Sequence, residues 1–396
     1  MVELGHIRPI MWPFSGARKN AAYVRLSPRR GLCFSPFKIA ALLGVMGIVV
    51  FFSVAQLQLN LRVYLREWIS HEEDRYYEPL HGCFDNVPAD SPYYSQDAVS
   101  FKHDIAAGIP LTDGWECFDF ASTIKSEPTK PREHIIYHTY WRADLLPIGD
   151  KQISALRSVY ATQNINYTTI YLWSNGDLTN SRLLMNLKNR VGESLQLRHY
   201  KAEELAKDTP MDGSPNLVFN DQYAYLDGDL IRLLALYKYG GMWFDMDSLF
   251  IRDMSPLFER EWVSQWDCFL PRGYPFNGAF MRFRKDSPYV CEMLTEMATG
   301  PLPRKKTIDW GGYMYYRVYR RLLANGRMPF DIVPWCFSDP VSCHPYNSMP
   351  KLAEESKFDK RRLMQVFAYH WHNQWNKSPG TVFRYLDELH KDKLKW

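Results

Sequence analysis

Residues 226–247 read LDGDLIRLLALYKYGGMWFDMD. Leu230, Leu233, Leu234 and Tyr237 recur at i, i+3, i+4 and i+7, the apolar stripe of a helix over 226–239, and Asp227 or Asp229 stands where a cap is needed. Gly240 and Gly241 then stop the helix. In the strand expected next, side chains alternate faces, so Trp243, Asp245 and Asp247 share one side while Met242, Phe244 and Met246 share the other. Two carboxylates that close repel and titrate as a coupled pair. Such a pair is a poor core but a good seat for a hard divalent cation, Mn²⁺ or Mg²⁺.

Outward from this segment, β-rich runs alternate with helical ones. HIIYHTYW (134–141), TTIYLW (168–173), LQLRHY (195–200) and PFNGAFMRF (275–283) read as strands, and MWFDMDSLFI (242–251) as the strand bearing the aspartates. Helices are expected near 153–162, after Ser287, and in WGGYMYYRVYRRLLANG, closed by Asn325-Gly326. Strands alternating with helices imply an α/β domain with a mainly parallel sheet, and ligands of such sheets bind at the carboxyl ends of the strands. No internal repeat or low-complexity tract interrupts the pattern.

Toward the amino terminus, IAALLGVMGIVVFFSVAQL (39–57) carries no charge. As a helix it would extend about 28 Å, enough to span a hydrocarbon core of about 30 Å. Seven basic residues between Arg8 and Lys38, against the single acid Glu3, keep the amino terminus cytosolic by the positive-inside rule. Ser53-Val54-Ala55 loosely resembles a signal-peptidase site, but so long a basic region and apolar run favour an uncleaved anchor. The expected organisation is a cytosolic tail (1–38), a transmembrane signal anchor (39–57), a stem (58–130) and a lumenal catalytic domain (131–396).

The 396 residues, 46% of them hydrophobic and 15% aromatic, suffice for a large core and exclude general disorder. A formal charge of +4 is too small to argue for nucleic acid as a partner. Cys33 falls on the cytosolic side, which leaves Cys83, Cys117, Cys268, Cys291, Cys336 and Cys343 in an oxidising lumen. Close spacing favours a Cys336–Cys343 bridge and a Cys83–Cys117 staple. Asn166-Tyr167-Thr168 and Asn376-Lys377-Ser378 are N-glycosylation sequons.

DLIRLLALYKYGGMWFDMD resembles the DXD sugar-binding region of glycosyltransferase family 32, which includes fungal mannosyltransferases and alpha-1,4-galactosyltransferases, and the likeness extends over roughly 131–379. It implies a GT-A-like fold: a mixed, mainly parallel sheet flanked by helices. It also implies that Asp229 and Arg232 contact the donor sugar, Asp245 the ribose, sugar or metal, and Asp247 the metal. PREHIIYHTYW is similar to the family's opening strand, with His138 and Trp141 near the nucleotide; Asn277 is placed beside the donor. AYHWHNQW resembles the closing element, in which His370 ligates the metal and Asn373 and Trp375 bond the diphosphate. Gly228 stands where the family has Ser, and the family's Thr-Gly-Pro is split between 299–301 and WGG at 310–312, so neither is assigned.

The activity implied is metal-dependent transfer of a hexose from GDP-mannose or a UDP-sugar to a glycan or glycolipid in the Golgi lumen, with retention of configuration. A haloacid-dehalogenase phosphatase also has a D-x-D after a strand, but Leu249 replaces the Thr or Val it needs, and its strand opens the domain. The other alternative is a catalytically inactive lumenal scaffold of the same fold that binds sugar nucleotides or glycans.

Overall fold

The computed structural model describes residues 36–55, 78–91, 93–94, 117–126, 133–217, 224–266, 275–304, 307–341 and 348–395. The chain divides into two units, Met1–Asn60 and Leu61–Trp396. In the first, Pro36–Val54 forms a helix of 19 residues with hydropathy 2.3 and no burial, long and apolar enough to cross a membrane. It starts before the expected 39, and residues 56–57 lie outside the described residues.

In the second unit the strands are β1 (Ile135–Trp141), β2 (Thr168–Ser174), β3 (Leu195–His199), β4 (Gly241–Phe244), β5 (Ser248–Phe250), β6 (Trp262–Gln265), β7 (Phe276–Phe283), β8 (Asp331–Val333) and β9 (Ala368–His370). Seven form one sheet in the order β3-β2-β1-β4-β7-β6-β8, and β5 pairs with β9 separately. β3, β2, β1 and β4 run parallel, while β7 is antiparallel to both β4 and β6. This is the mixed sheet flanked by helices expected of a GT-A-like domain. Each face carries its own core. Ile135, Tyr137 and Trp141 of β1 pack with the helix Asp150–Thr162, whereas Tyr140 and Trp243 pack with the helix Tyr225–Tyr239.

Two glycines set the join between that helix and β4. Gly240, at φ +64°, caps the helix with its N–H on Leu236 O at 2.8 Å. Gly241, at φ +105°, lies so close to β1 that an added Cβ would stand 2.2 Å from Ile136 O. Neither the dihedral nor the spacing admits a side chain.

The expected strand over 242–251 is not continuous. Asp245 makes the last contact of the main sheet through its N–H to Ala279 O (2.8 Å), and the chain then turns into β5. Asp245 and Asp247 therefore sit in a turn between two sheets. The helix cap also differs: the helix starts at Tyr225, Ala224 (φ +61°) occupies the cap position without a side-chain bond, and Asp227 bonds Arg142 instead. Ser287 holds the cap position of Pro288–Thr299, but its hydroxyl caps nothing.

Upstream of 131, parts of the segment expected to be stem pack into the domain. Phe84 and Phe118 are buried, and the disulfides are Cys83–Cys291 and Cys117–Cys336, with separations of 208 and 219 residues. These pairs replace the expected Cys83–Cys117 and Cys336–Cys343. Proximity in sequence ranks bridges by loop entropy, whereas here the fold has already closed the long loops and sets each thiol's neighbour. Cys33, Cys268 and Cys343 lie outside the described residues.

Candidate active site

A cleft of about 680 Å³ opens at the carboxyl ends of β1 and β4, where Trp141, Asp229, Arg232, Asp245 and Asp247 come together with Asn277, His370, Asn373 and Trp375. Asp229 and Arg232 are adjacent on the inward face of the helix Tyr225–Tyr239, each 7% exposed. One guanidinium ties three elements: Nη1 donates to Asp229 Oδ1 (2.8 Å) and Tyr315 OH (3.1 Å), and Nη2 donates to Asp245 Oδ1 (2.9 Å). It also lies 5.2 Å over the ring of Trp243, whose Nε1 donates to the same Asp245 oxygen at 2.7 Å. The fork geometry of arginine is what allows one cation to serve two carboxylates and a phenol.

The glycines around this group are there for room. An added Cβ on Gly278 would stand 2.2 Å from Arg232 Nη1, and one on Gly311 would stand 3.2 Å from Asp229 Oδ2.

Asp247, 2% exposed, faces the other way. Its Oδ2 accepts the N–H of Asn373 at 2.5 Å and lies 3.2 Å from His370 Nε2. The register of β5 against β9, Ser248 opposite His370, brings the histidine there from more than a hundred residues away. Burial would lower the pKa of His370, but the Asp247 carboxylate outweighs it, with Asp339 and Asp245 adding, and the imidazole is pushed up to about 9. Asp247 is held below the usual carboxylate range, its burial outweighed by His370 and the Asn373 amide. The two shifts describe one buried ion pair, a carboxylate and an imidazolium that stabilise each other's charge. Ligand atoms of Asp245, Asp247 and His370 lie within 4.8 Å of one another, and His370 Nδ1 is buried without a hydrogen-bond partner. Two carboxylates and one imidazole form an oxygen-and-nitrogen set that suits Mn²⁺, so the residues fit the expected cation.

Trp141 and Trp375 meet edge to face on the cleft wall, with centroids 4.9 Å apart and Trp141 Nε1 bonded to Leu146 O at 2.7 Å. Asn277 lines the cleft with its Oδ1 taken by the Ala279 N–H (3.0 Å). Asn373 Oδ1 accepts from Trp375 Nε1 at 3.1 Å.

His138 is the exception. It is fully buried, with Nε2 2.9 Å from Gly240 O and Nδ1 accepting from Trp173 Nε1 at 3.2 Å, and burial lowers its pKa to about 4. As a neutral imidazole with both nitrogens occupied, it ties β1 to the glycine stop and does not reach the cleft. Position along the strand is the reason: His138 lies in the middle of β1, whereas Tyr140 and Trp141 at its carboxyl end, one on each face, line the cleft.

Sequence reading missed Tyr315, Gly278, Gly311 and His372. His372 Nε2 lies 2.9 Å from Asp339, and Tyr315 belongs to the helix Gly312–Ala324. All four lie within quoted motifs, Gly278 in PFNGAFMRF, Gly311 and Tyr315 in WGGYMYYRVYRRLLANG and His372 in AYHWHNQW, but none was assigned a role.

Residues 151–265 match the family model described as "glycosyltransferase sugar-binding region containing DXD motif". That segment is similar to the DXD sugar-binding region of glycosyltransferases. An uncharacterized protein of Arabidopsis thaliana is 36% identical over 98 residues, covering 24% of this chain and 15% of that protein. The chain thus aligns with a small part of that relative's length. Similar solved structures include mouse xyloside xylosyltransferase 1 in its apo form (13% identity, 62% of this chain and 99% of that one, TM-score 0.38). Another is the galactosyltransferase LgtC in complex with donor and acceptor sugar analogs (14% identity, 65% and 96%, TM-score 0.37). A third is the bifunctional glycosyltransferase WbbM (12% identity, 68% and 52%, TM-score 0.39). Identities of this order say nothing of substrate.

Proposed function

We propose that the chain is a single-pass, membrane-anchored glycosyltransferase of family 32, lumenal in the Golgi. It moves a hexose from a nucleotide-sugar donor, GDP-mannose or a UDP-sugar, to a glycan or glycolipid with retention of configuration. The observation that carries this reading is the convergence of Asp245, Asp247 and His370 within 4.8 Å at one end of a cleft whose wall presents Asp229 and Arg232. The helix Pro36–Val54 supports the anchor, and two disulfides support an oxidising compartment.

A bound Mn²⁺ would neutralise the departing nucleoside diphosphate as a Lewis acid, without any proton transfer. The chain's own residues supply position. Asp245, Asp247 and His370 would hold the ion. Arg232, fixed by Asp229, Tyr315 and Asp245, presents a rigid cationic face to the donor sugar. Trp141 and Trp375 offer aromatic edges to the nucleotide, and the loop at Asn373 closes the diphosphate side.

The test uses the full chain in detergent, offered a panel of sugar nucleotides with Mn²⁺. Release of nucleoside diphosphate from one donor, suppressed by EDTA, is the expected result. A donor at 100 times its Kd should also stabilise the fold by about 2.7 kcal/mol, read as a raised Tm. No turnover and no stabilisation by any donor would sink the enzyme reading and leave a scaffold.

Gly228 supplies a second prediction. It lies in the helix Tyr225–Tyr239 and lines the cleft, and an added Cβ meets no protein atom within 4 Å. Gly228→Ala should stabilise the fold by about 0.5–1 kcal/mol, because glycine weakens a helix interior. The new methyl projects where the donor lies, so donor affinity should fall. Melting curves with and without donor read both effects, and a rise in Tm with unchanged donor affinity would show that no ligand approaches Gly228.

A further inference from the structure

Between β9 and the helix Thr381–Leu394, the segment 371–379 seats two parts of the site: the Asn373 amide on Asp247 and the Trp375 ring against Trp141. His372 Nε2 lies 2.9 Å from Asp339 Oδ1 and Asn373 Oδ1 accepts from Trp375 Nε1 at 3.1 Å, bonds that hold the start of the segment. His372 and Asn373 are consecutive left-handed residues, both at φ +54°, a backbone that residues other than glycine adopt at a cost. An external clamp is needed.

Lys151 provides it. From the first turn of the helix Asp150–Thr162, its Nζ donates to three backbone carbonyls of the segment: Gln374 O (3.4 Å), Trp375 O (2.6 Å) and Lys377 O (2.5 Å). A surface lysine in solvent would be free of two costs borne here. Partial burial lowers the pKa of its ammonium, and a cation at the positive pole of a helix is disfavoured. Convergence of three carbonyls on one ammonium offsets both and fixes the path of the chain.

We propose that Lys151 is a positioning residue, which through Trp375 and Asn373 sets the geometry of the metal and nucleotide side of the cleft. It rests on the metal-dependent reading above. Without the clamp, the segment relaxes from its left-handed pair, the Asn373 N–H leaves Asp247, and the Trp141–Trp375 contact opens.

The test compares the full-length wild type in detergent with Lys151→Met, Lys151→Arg and a control, Lys188→Met. Lys188 makes the same kind of bond, Nζ to Leu195 O at 2.9 Å, on the helix Arg182–Val191 and outside the cleft lining. Mn²⁺ affinity and the near-ultraviolet circular dichroism of the coupled indoles are measured. Lys151→Met should weaken Mn²⁺ binding about 10- to 100-fold, the range for groups that orient metal ligands, and flatten the indole signal. Lys151→Arg, which keeps charge and donors, should recover most of both, and Lys188→Met should change neither. If Lys151→Met does not fold, Lys151→Gln carries the comparison. Values for the Lys151 variant equal to those of Lys188→Met overturn the proposal. If the wild type binds no Mn²⁺, it is the metal reading that has failed, and the indole signal alone then decides the clamp: lost in Lys151→Met it stands, retained it falls.

Discussion

Arg232→Met should destabilise the second unit by about 3–5 kcal/mol, the cost of breaking a buried ion pair from one side, and abolish donor binding. The side chain is 7% exposed and is shared by Asp229, Asp245 and Tyr315. Methionine fills similar volume but leaves two carboxylates facing each other without their common cation. Arg232→Lys should recover little, because a single ammonium cannot reproduce a fork whose Nη1 and Nη2 serve different carboxylates. Urea midpoints at constant m-value measure the loss. A change below about 1 kcal/mol would mean that the group is solvated and worth no more than a surface pair.

Asp247→Asn should remove the chemistry and also cost stability, because it takes from the buried His370 the carboxylate that holds its imidazole charged. Asparagine keeps an acceptor for the Asn373 N–H, which Asp247 now takes at 2.5 Å, and its neutral amide has less to lose by burial. The negative charge is gone, however, and with it the carboxylate best placed beside His370. Mn²⁺ affinity should fall at least about 100-fold and metal-dependent turnover by about 10²–10³, the scale for losing one group that stabilises developing charge. Calorimetric titration with Mn²⁺ and initial rates read both. Undiminished Mn²⁺ binding in this variant would remove Asp247 from the metal site.

The contrast between these variants reflects how the turn after β4 divides the two aspartates. Asp245 faces the helix and neutralises Arg232; Asp247 faces β9 and pairs with His370. As a spacing, D-x-D reads as two equal ligands on one strand face. The turn that interrupts the strand between β4 and β5 gives them separate partners.

Much of the fold is written locally. The stripe from Leu230 to Tyr237, the glycine pair after it and the alternating runs at 134–141, 168–173, 195–200 and 275–283 correspond to observed elements, because helix and strand periodicities are properties of neighbouring residues. Short elements escaped. β6, β8 and β9 have 4, 3 and 3 residues, too few to show a period, and they exist because a neighbouring strand offers an edge. The cleft's separate contributions from Trp141, Asp229, Arg232, Asp245 and Asp247 were legible as residue types in motifs. His138, expected near the nucleotide, lies outside the cleft lining because a motif position does not say how far down a strand the cleft will reach.

What the sequence determined by itself is the local grammar: an apolar helix at the amino terminus, a helix stopped by Gly240-Gly241, and a β-rich run after it that carries two aspartates. What only the tertiary structure decided is who meets whom. Cys83 met Cys291, Arg232 met Tyr315, and His370 met Asp247. Local patterns follow from steric and hydrogen-bonding rules acting over a few residues, whereas these meetings follow from sheet order and register, which are settled only when distant segments compete to bury the same faces.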